Sequence, residues 1–345
     1  MHHCHFLQPD SGSCIIIDVM SIRIINAKEV RQLMSMSECI DVMSDAMVSA
    51  STGTVSVPPR HFTSIIDDST LLGLMPGSSE ELNAFGVKLI SFYRSNPQKN
   101  LPAIQGFVAL FNFENGKPLA IIDAAELTAI RTGAASGLAT KLLSRKDSRT
   151  CGIFGTGVQA TAHLEAICAV RSIEEILIWG RDFDKASAFV EQHSTITDAA
   201  MRATENPEDA GSCDIVCTVT GSSTPILQGS WVEQGAHINL VGAHTLSTRE
   251  ADTDLIINSN LYVDLFESAE NEAGDFMIPV EEGKITKEHI LGEIGELLLS
   301  QIAGRQDSTQ ITVYKSLGIV AQDLFAASYV YKKAEESNSG RKVDF

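Results

Sequence analysis

Apolar positions along the chain follow two rhythms. Up to about residue 123 they recur mostly at every second position, and beyond residue 150 they come in short unbroken runs between stretches of helical spacing. "MSIRIINAKEV" opens with the alternation of a strand and passes into a short helix. Ser37 can cap a helix in which Ile40, Met43, Met47 and Ala50 share one face, and Gly53 marks its end. "RHFTSII", "TLLGLM", "GVKLISFY", "FVALFNF" and "PLAIID" then read as strands. The last two meet across "ENGK", where Asn115 and Gly116 readily adopt positive φ and predict a hairpin. Asp123 offers an N-cap with Glu126 three residues on, a capping box for a helix running to about Leu143. This first segment is predicted to be a mixed antiparallel sheet with helices.

The polar joint "SRKDS" ends that pattern. "TCGIFG" leads into a helix with Ala160, Leu164 and Ile167 on one face, and "EEILIWG" leads into "DKASAFVEQH". "CDIVCTVT", "AHINLVG" and "LYVD" follow, and strands spaced by helices or long crossovers predict a parallel doubly wound sheet. From "HILGEIGELL" to "YVYKKAEE" the pattern is mostly helical, with a polar end expected to fray. The first nineteen residues carry no such patterning and read as a disordered extension, with Met20 a natural start. His2, His3, Cys4 and His5 have soft-metal chemistry but no partner cluster downstream, so no metal is expected.

Composition narrows the class. At 345 residues, 44% hydrophobic and 20% charged, the chain suits a soluble protein of two domains. A net charge of -18 opposes nucleic acid and anionic membrane surfaces, because binding phosphates at scale needs a basic face. No stretch has the length of a transmembrane helix, and "CIIIDVM" is too short for a secretory signal. Seven scattered cysteines suit a reducing compartment, so the expected location is the cytoplasm.

Within "CGIFGTGVQA", Gly155, Gly157 and Ala160 follow a predicted strand and open a predicted helix. Gly155 permits the tight turn, Gly157 lets backbone approach a pyrophosphate, and Ala160 lets the helix pack closely on the strand. Thr156, Val158 and Gln159 complete the turn, whose helix N-terminus offers free amides to an anion. A glycine turn that merely packs would show the same residues. At the next strand end, Gly180 leaves room for a 2'-phosphate and Arg181 a cation to meet it, favouring NADPH. NADH stays open, since Asp182 can still face the ribose.

The other segment holds three cations in apolar surroundings. Lys88 in "FGVKLISF" either points to solvent or enters an interior where its ammonium needs an anion. Arg131 lies in a helix rich in small side chains, and Arg60 follows two prolines. Together they can clamp a carboxylate, Arg offering a bidentate fork and Lys a point charge. Cys213 and Cys217 share one strand face without further ligands and read as buried hydrophobes, while His163 reads as an exposed or hydrogen-bonding helix residue.

At these residues the chain resembles the ornithine cyclodeaminase and mu-crystallin family of NAD(P)-dependent proteins, from Met20 to about Glu336. The motifs that carry the resemblance are "VPPR", "LMPG", "GVK", "DAAELTAIRTGAASGLATKLL", "GIFGTGVQA", "CTVTGSSTPIL", "GAHINLVGAH", "GEIGELL" and "KSLGIVAQD". It implies a homodimer with two domains. Residues 20–140 with 315–340 would form an α+β substrate-binding and dimerisation domain, and 141–314 a Rossmann domain. Arg60, Lys88 and Arg131 then correspond to substrate-carboxylate residues. Thr218, Val219 and Thr220, and the turn from Ser316 to Gly318, correspond to segments bordering the nicotinamide. Thr132 and Gly242 fall in stretches expected near the dinucleotide.

One position departs from the pattern. Family members that cyclise ornithine read "VGxD" where this chain has "VGAH" and His244. An imidazole is a poor seat for the substrate's terminal ammonium, which argues against cyclodeamination. His244 can donate or relay a proton, orient a catalytic water, or fix its loop. The resulting expectation is reduction of a cyclic imino acid, such as Δ1-pyrroline-2-carboxylate or its six-membered homologue, to the L-amino acid. Lys88 and His244 are the candidate catalytic groups, with Lys88 favoured as proton donor. Ornithine cyclodeamination, open-chain amino-acid dehydrogenation and non-catalytic ligand carriage are the alternatives.

Overall fold

The computed structural model describes residues 21–67, 69–99 and 101–344. The N-terminal extension, with its histidines, Cys4 and Met20, lies outside them. Two sheets of eight strands organise the chain. The first contains β1 (Ser21–Ile25), β2 (Val55–Ser56), β3 (His61–Ser64), β4 (Thr70–Ser79), β5 (Ala84–Tyr93), β6 (Ile104–Asn112) and β7 (Pro118–Asp123). The second contains β8 (Thr150–Phe154), β9 (Glu175–Trp179), β10 (Ala200–Thr204), β11 (Ile215–Thr218), β12 (His237–Leu240), β13 (Asn260–Val263), β14 (Ile290–Glu293) and β15 (Thr312–Lys315). A last strand, β16 (Arg341–Asp344), returns to the first sheet and pairs antiparallel with β1.

The first sheet runs β16-β1-β7-β6-β5-β4-β2 with β3 on β4, and is antiparallel except for β1 on β7. Its inner face packs on helices Met36–Thr52, Ala124–Leu143 and Val320–Ser337, whose apolar residues share one core with the strands. Alternation decides the faces. Along β5, Ala84, Gly86, Lys88 and Ile90 are buried, while Phe85, Val87 and Leu89 are half-exposed.

The second sheet runs β10-β9-β8-β11-β12-β15-β13-β14, parallel throughout. Strand order reverses beside β8, since the chain goes first to β9 on one side and later to β11 on the other. Ligands in open α/β sheets bind at such a switch point, at the carboxyl ends of the strands. Helix Ala124–Leu143 joins the two halves by packing on helix Val158–Val170. A side chain at Gly133 would come 2.6 Å from the carbonyl oxygen of Ala162, so the small residues of "TGAASG" allow that approach.

Several local expectations need correction. Helix Met36–Thr52 is capped by Ser35, not Ser37: Ser35 Oγ accepts from the Glu38 amide at 3.3 Å and Glu38 accepts from the Ser35 amide at 2.9 Å. Asp123 does cap its helix, accepting from the Glu126 amide at 2.8 Å, but Glu126 turns instead to Arg31 at 2.6 Å. In the β6–β7 hairpin only Gly116 takes positive φ, at +71°, and Asn115 supports the turn by accepting from the Lys117 amide at 3.0 Å. The C-terminal end does not fray, because Asn338 closes the last helix with φ 51° and β16 adds to the sheet. β10, β14 and β15 depart from the sequence expectation, β14 and β15 both lying within the run expected to be mostly helical.

Candidate active site

The turn after β8 is shaped by two glycines. Gly155 has φ +129° and donates to the carbonyl of Trp179 at 2.8 Å, and a side chain on it would meet Val219 at 3.0 Å. Gly157 precedes helix Val158–Val170 with no side-chain cap, and nothing stands within 4 Å of where its Cβ would be. Open space thus lies at the very start of that helix, a fit for a diphosphate. Ala160 is fully buried, as close packing requires. Val158 is exposed, and the carbonyl of Gln159 is taken by His163 Nδ1 at 2.7 Å.

A cleft of about 490 Å³ opens over this turn. Gly155, Thr156 and Gly157 form one wall, and Gly180, Arg181, Asp182 and Lys185 another. Val219 and Thr220 line the far side. Asp182 caps helix Phe183–His193, accepting from the Lys185 amide at 3.2 Å, and pairs with Lys185 Nζ at 3.3 Å. These hydrogen bonds hold its carboxyl below the usual carboxylate range. Both Asp182 oxygens are engaged, whereas Arg181 is exposed and has no ion-pair partner among the described residues.

The three cations of the other half meet around two carboxylates. Lys88 Nζ lies 2.7 Å from Asp323 Oδ2, and Arg131 Nε lies 3.0 Å from Asp323 Oδ1. Arg131 also donates to Gln322 Oε1 at 2.7 Å. Lys88 does not point to solvent, being 3% exposed. Arg60 pairs with Glu272 and donates to the carbonyl of Leu317 at 3.3 Å. Burial lowers Lys88 to about 8, assisted by repulsion from Arg131 and Arg60 and opposed by Asp323. Burial and Arg131 likewise lower Arg60, to about 10. Burial alone would raise Asp323, but Arg131 and Lys88 outweigh it and keep its carboxyl low.

A cavity of about 400 Å³ adjoins this cluster. It is lined by Arg60 and Glu272, by Met75, which lies directly across from Lys88 between β4 and β5, and by Gly318. Gly318 has φ +76°, and a side chain there would come 2.6 Å from Arg131 Nη1, so the guanidinium sits immediately behind it. Asp264 fixes this turn by accepting from the amides of Leu317 and Gly318, each at 2.7 Å, and from the Tyr314 hydroxyl. Ser316 is buried beside it. Thr132, buried on its helix, lines neither cleft.

His244 stands within the electrostatic reach of Arg60, Lys315 and Arg94. Its Nδ1 faces the carbonyl of Gly242 at 3.1 Å, so that nitrogen carries the proton and a neutral ring presents Nε2 as an acceptor. Loss of solvation, then Arg60, lower its pKa, although the residue as a whole is exposed. A neutral imidazole of this tautomer has no proton to give from Nε2. Of the roles expected for His244, proton donation is therefore the one this geometry disfavours. Orienting a water or fixing the loop agrees with it.

Sequence reasoning missed Asp323, Glu272, Asp264, Glu250 and Lys185. Asp323 sits in the quoted motif "KSLGIVAQD"; Glu272 sits in the acidic run "FESAENEAGD", which reads by itself as a solvated helix or loop and which the family resemblance places beside the cleft, but neither place announces a cation partner. His163 is buried rather than exposed, and its Nε2 meets Ser136 Oγ at 2.9 Å.

Comparison with known proteins fits this geometry. The model of the ornithine cyclodeaminase/mu-crystallin family matches residues 21–338. A Δ1-pyrroline-2-carboxylate reductase of Bacillus thuringiensis is 35% identical over 324 residues, covering 93% of this chain and 99% of that protein. The structure of the Thermococcus litoralis Δ1-pyrroline-2-carboxylate reductase, in complex with NADH and L-proline, superimposes with a TM-score of 0.90 at 35% identity, covering 93% of this chain and all of that one. An archaeal alanine dehydrogenase dimer with bound NAD gives a TM-score of 0.88 at 32% identity, covering 94% and 100%.

Proposed function

The chain belongs to the ornithine cyclodeaminase/mu-crystallin family, and we propose that within it the protein reduces a cyclic imino acid to the corresponding L-amino acid with a reduced nicotinamide dinucleotide. The leading substrate is Δ1-pyrroline-2-carboxylate or its six-membered homologue. The observation that carries this reading is three cations beside one small cavity: Arg60 in its wall, paired with Glu272, and Lys88 and Arg131 on buried Asp323 behind Met75 and Gly318.

Two halves divide the work. The doubly wound sheet and its loops, residues 141–314, hold the dinucleotide, and 20–140 with 315–340 hold the substrate. When bound, the dinucleotide supplies hydride to the imine carbon. Reduction of C=N also needs a proton at nitrogen, and this the chain provides. Arg60 and Arg131 orient the carboxylate. Lys88, whose ammonium is easier to deprotonate than an ordinary lysine, gives up a proton near neutral pH. Asp323 holds that ammonium in place at 2.7 Å. Cyclodeamination would need a free anion for the substrate's second amine; His244 offers none, and Glu272 in the cavity wall is taken up by Arg60. The cation cluster argues against a carrier without chemistry.

NADPH is the preferred cofactor in this reading, since Arg181 is free to meet a 2'-phosphate while Asp182 is occupied by Lys185. The protein acts as a homodimer. On the outer face of the first sheet, Phe85 stacks on Phe111 at 5.1 Å, and Val87, Leu89, Ala109 and Ile121 are half-exposed beside Ile24 and Phe107. An apolar surface of this extent calls for a partner, and a second copy of the same face would cover it. A cytoplasmic location agrees with the free cysteines among the described residues and with the lack there of any helix long and apolar enough to cross a membrane.

The test pairs two assays on purified protein. NADPH oxidation with Δ1-pyrroline-2-carboxylate supports the reductase. Proline and ammonia from L-ornithine without net cofactor turnover would overturn it, and inactivity in both assays would favour ligand carriage.

A further inference from the structure

Beside the proposed dinucleotide cleft lies a fully buried carboxylate to which no role has yet been given. Glu250 Oε2 accepts from Thr218 Oγ1 at 2.8 Å and from the Gly242 amide at 2.6 Å. Its Oε1 accepts from the Thr220 amide at 2.8 Å and from Thr220 Oγ1 at 2.7 Å. A carboxylate has about four acceptor sites, and here each is filled. The donors come from two different strand ends: Thr218 and Thr220 from the end of β11, and Gly242 from just beyond β12.

Those ends approach closely because position 242 has no side chain. A Cβ there would lie 2.0 Å from the carbonyl oxygen of Thr220 and 2.6 Å from Glu250 Oε1. Glu250 is itself anchored from behind. Its amide donates to Asp275 Oδ1 at 2.7 Å, and its carbonyl accepts from Ile226 and Leu227 at 2.8 and 3.0 Å. Asp275 pairs with buried Lys315 at 2.9 Å, which also donates to the carbonyl of Ala243 at 2.5 Å. Both backbone groups of Gly242 are thus used, the amide by Glu250 and the carbonyl by His244.

We propose that Glu250 is a positioning residue for cofactor binding: one carboxylate locks the end of β11 to the loop after β12 and so sets the edge of the cleft formed by Val219 and Thr220. This rests on the reading that the cleft holds a nicotinamide dinucleotide. Asp275 and Lys315 hold the lock, and Thr218, Thr220 and Gly242 transmit it. Glutamine cannot replace the carboxylate, because one end of its amide would turn N–H donors toward Thr220 or Gly242.

The test is NADH titration by fluorescence on the full-length protein, with kcat and KM for the imino acid and a melting curve for each variant. Glu250→Gln is expected to weaken NADH binding about 10- to 100-fold, the range for lost hydrogen bonds to a charged group, while KM for the imino acid stays within about 2-fold. Adding Thr220→Val to Glu250→Gln should weaken NADH binding little further, since the two act as one unit. If Glu250→Gln does not fold, Thr218→Val carries the test, since it keeps the buried charge and lies outside the cleft wall; it should weaken NADH binding and lower the melting temperature, because one acceptor site of the carboxylate is left unfilled. NADH binding that is undisturbed in every folded variant overturns this inference alone. Failure of the wild-type protein to bind either NADPH or NADH overturns the cofactor reading, and this inference with it.

Discussion

Replacing Lys88 by methionine should abolish reduction and yet make the protein more stable at pH 7. Lys88 is 3% exposed, and burial with repulsion from Arg131 and Arg60 lowers its pKa from 10.5 to about 8 despite Asp323 at 2.7 Å. At about 1.4 kcal/mol per tenfold change in proton affinity, carrying that charge in the folded state costs about 3 kcal/mol. The sign follows from linkage. Below pH 8 the lysine is protonated in both folded and unfolded chains and the full cost is present. As pH rises from about 8 to 10.5 the folded chain loses its proton first, and wild-type stability rises. Removing Lys88 does not orphan Asp323, which keeps Arg131 at 3.0 Å.

The opposite end of the same ion pair predicts the opposite result. Asp323→Asn leaves Lys88 and Arg131 buried without their shared counter-charge, and breaking a buried pair in this way costs about 3–5 kcal/mol. Urea unfolding at pH 7 and pH 10, with activity measured in parallel, separates the two. Lys88→Met should unfold at higher urea than wild type at pH 7, with the gap narrowing at pH 10, while Asp323→Asn should unfold at lower urea. Equal destabilisation by both substitutions at pH 7 would refute the reasoning, because it would make the lysine a net stabilising member of the pair.

Other consequences are as direct. Arg181→Ala should raise KM for NADPH about 10-fold or more through loss of a charge-assisted contact, with NADH changed little; equal effects on both would remove the 2'-phosphate argument. The rate constant kcat/KM for the imino acid should fall above about pH 8 as Lys88 loses its proton, and a profile flat to pH 10 would exclude Lys88 as the donor. Val87→Asp, on the half-exposed face of β5, should shift sedimentation from dimer toward monomer; an unchanged dimer would place the interface elsewhere. Glu272→Gln should free Arg60 from its ion pair and lower KM for the imino acid, whereas a higher KM would make Glu272 part of the binding surface.

How much of this the sequence disclosed depends on how local each signal is. Runs such as "TCGIFG" and "EEILIWG" carry their own strand signature, and Gly155, at φ +129°, announces a turn that favours glycine, so the doubly wound sheet and the turn after β8 were legible. The short strands β14 and β15 were not. Four residues carry too little period to separate strand from helix, β14 running directly into helix Ile294–Leu298, and only their neighbours in the sheet decide it. β16 is the same problem at a terminus, a polar tetrapeptide ordered by pairing with β1. At the helix start, Ser35 and Ser37 both suit an N-cap by type. The choice between them fell to Glu38, which lies three residues after Ser35.

The candidate site divides along charge. Lys88, Arg131 and Arg60 stood out because a cation inside an apolar pattern needs an explanation, which a search of neighbouring sequence can at least pose. Their carboxylate partners did not, because Asp and Glu at helix starts and in loops are ordinary. Asp323 lies in the first turn of helix Val320–Ser337, where acids are common for reasons of dipole and capping alone. What makes it special is a lysine 235 positions away. Glu250 sits in the polar stretch "STREAD" and gains its meaning from Thr218, Thr220 and Gly242 at two other strand ends. A buried cation and a buried anion need each other equally, yet only the cation breaks its local pattern. Exposed Lys185 aside, the missed residues Asp323, Glu272, Asp264 and Glu250 are accordingly all acids, and unexplained cations in apolar elements point to acids at the ends of elements that the predicted topology brings nearby.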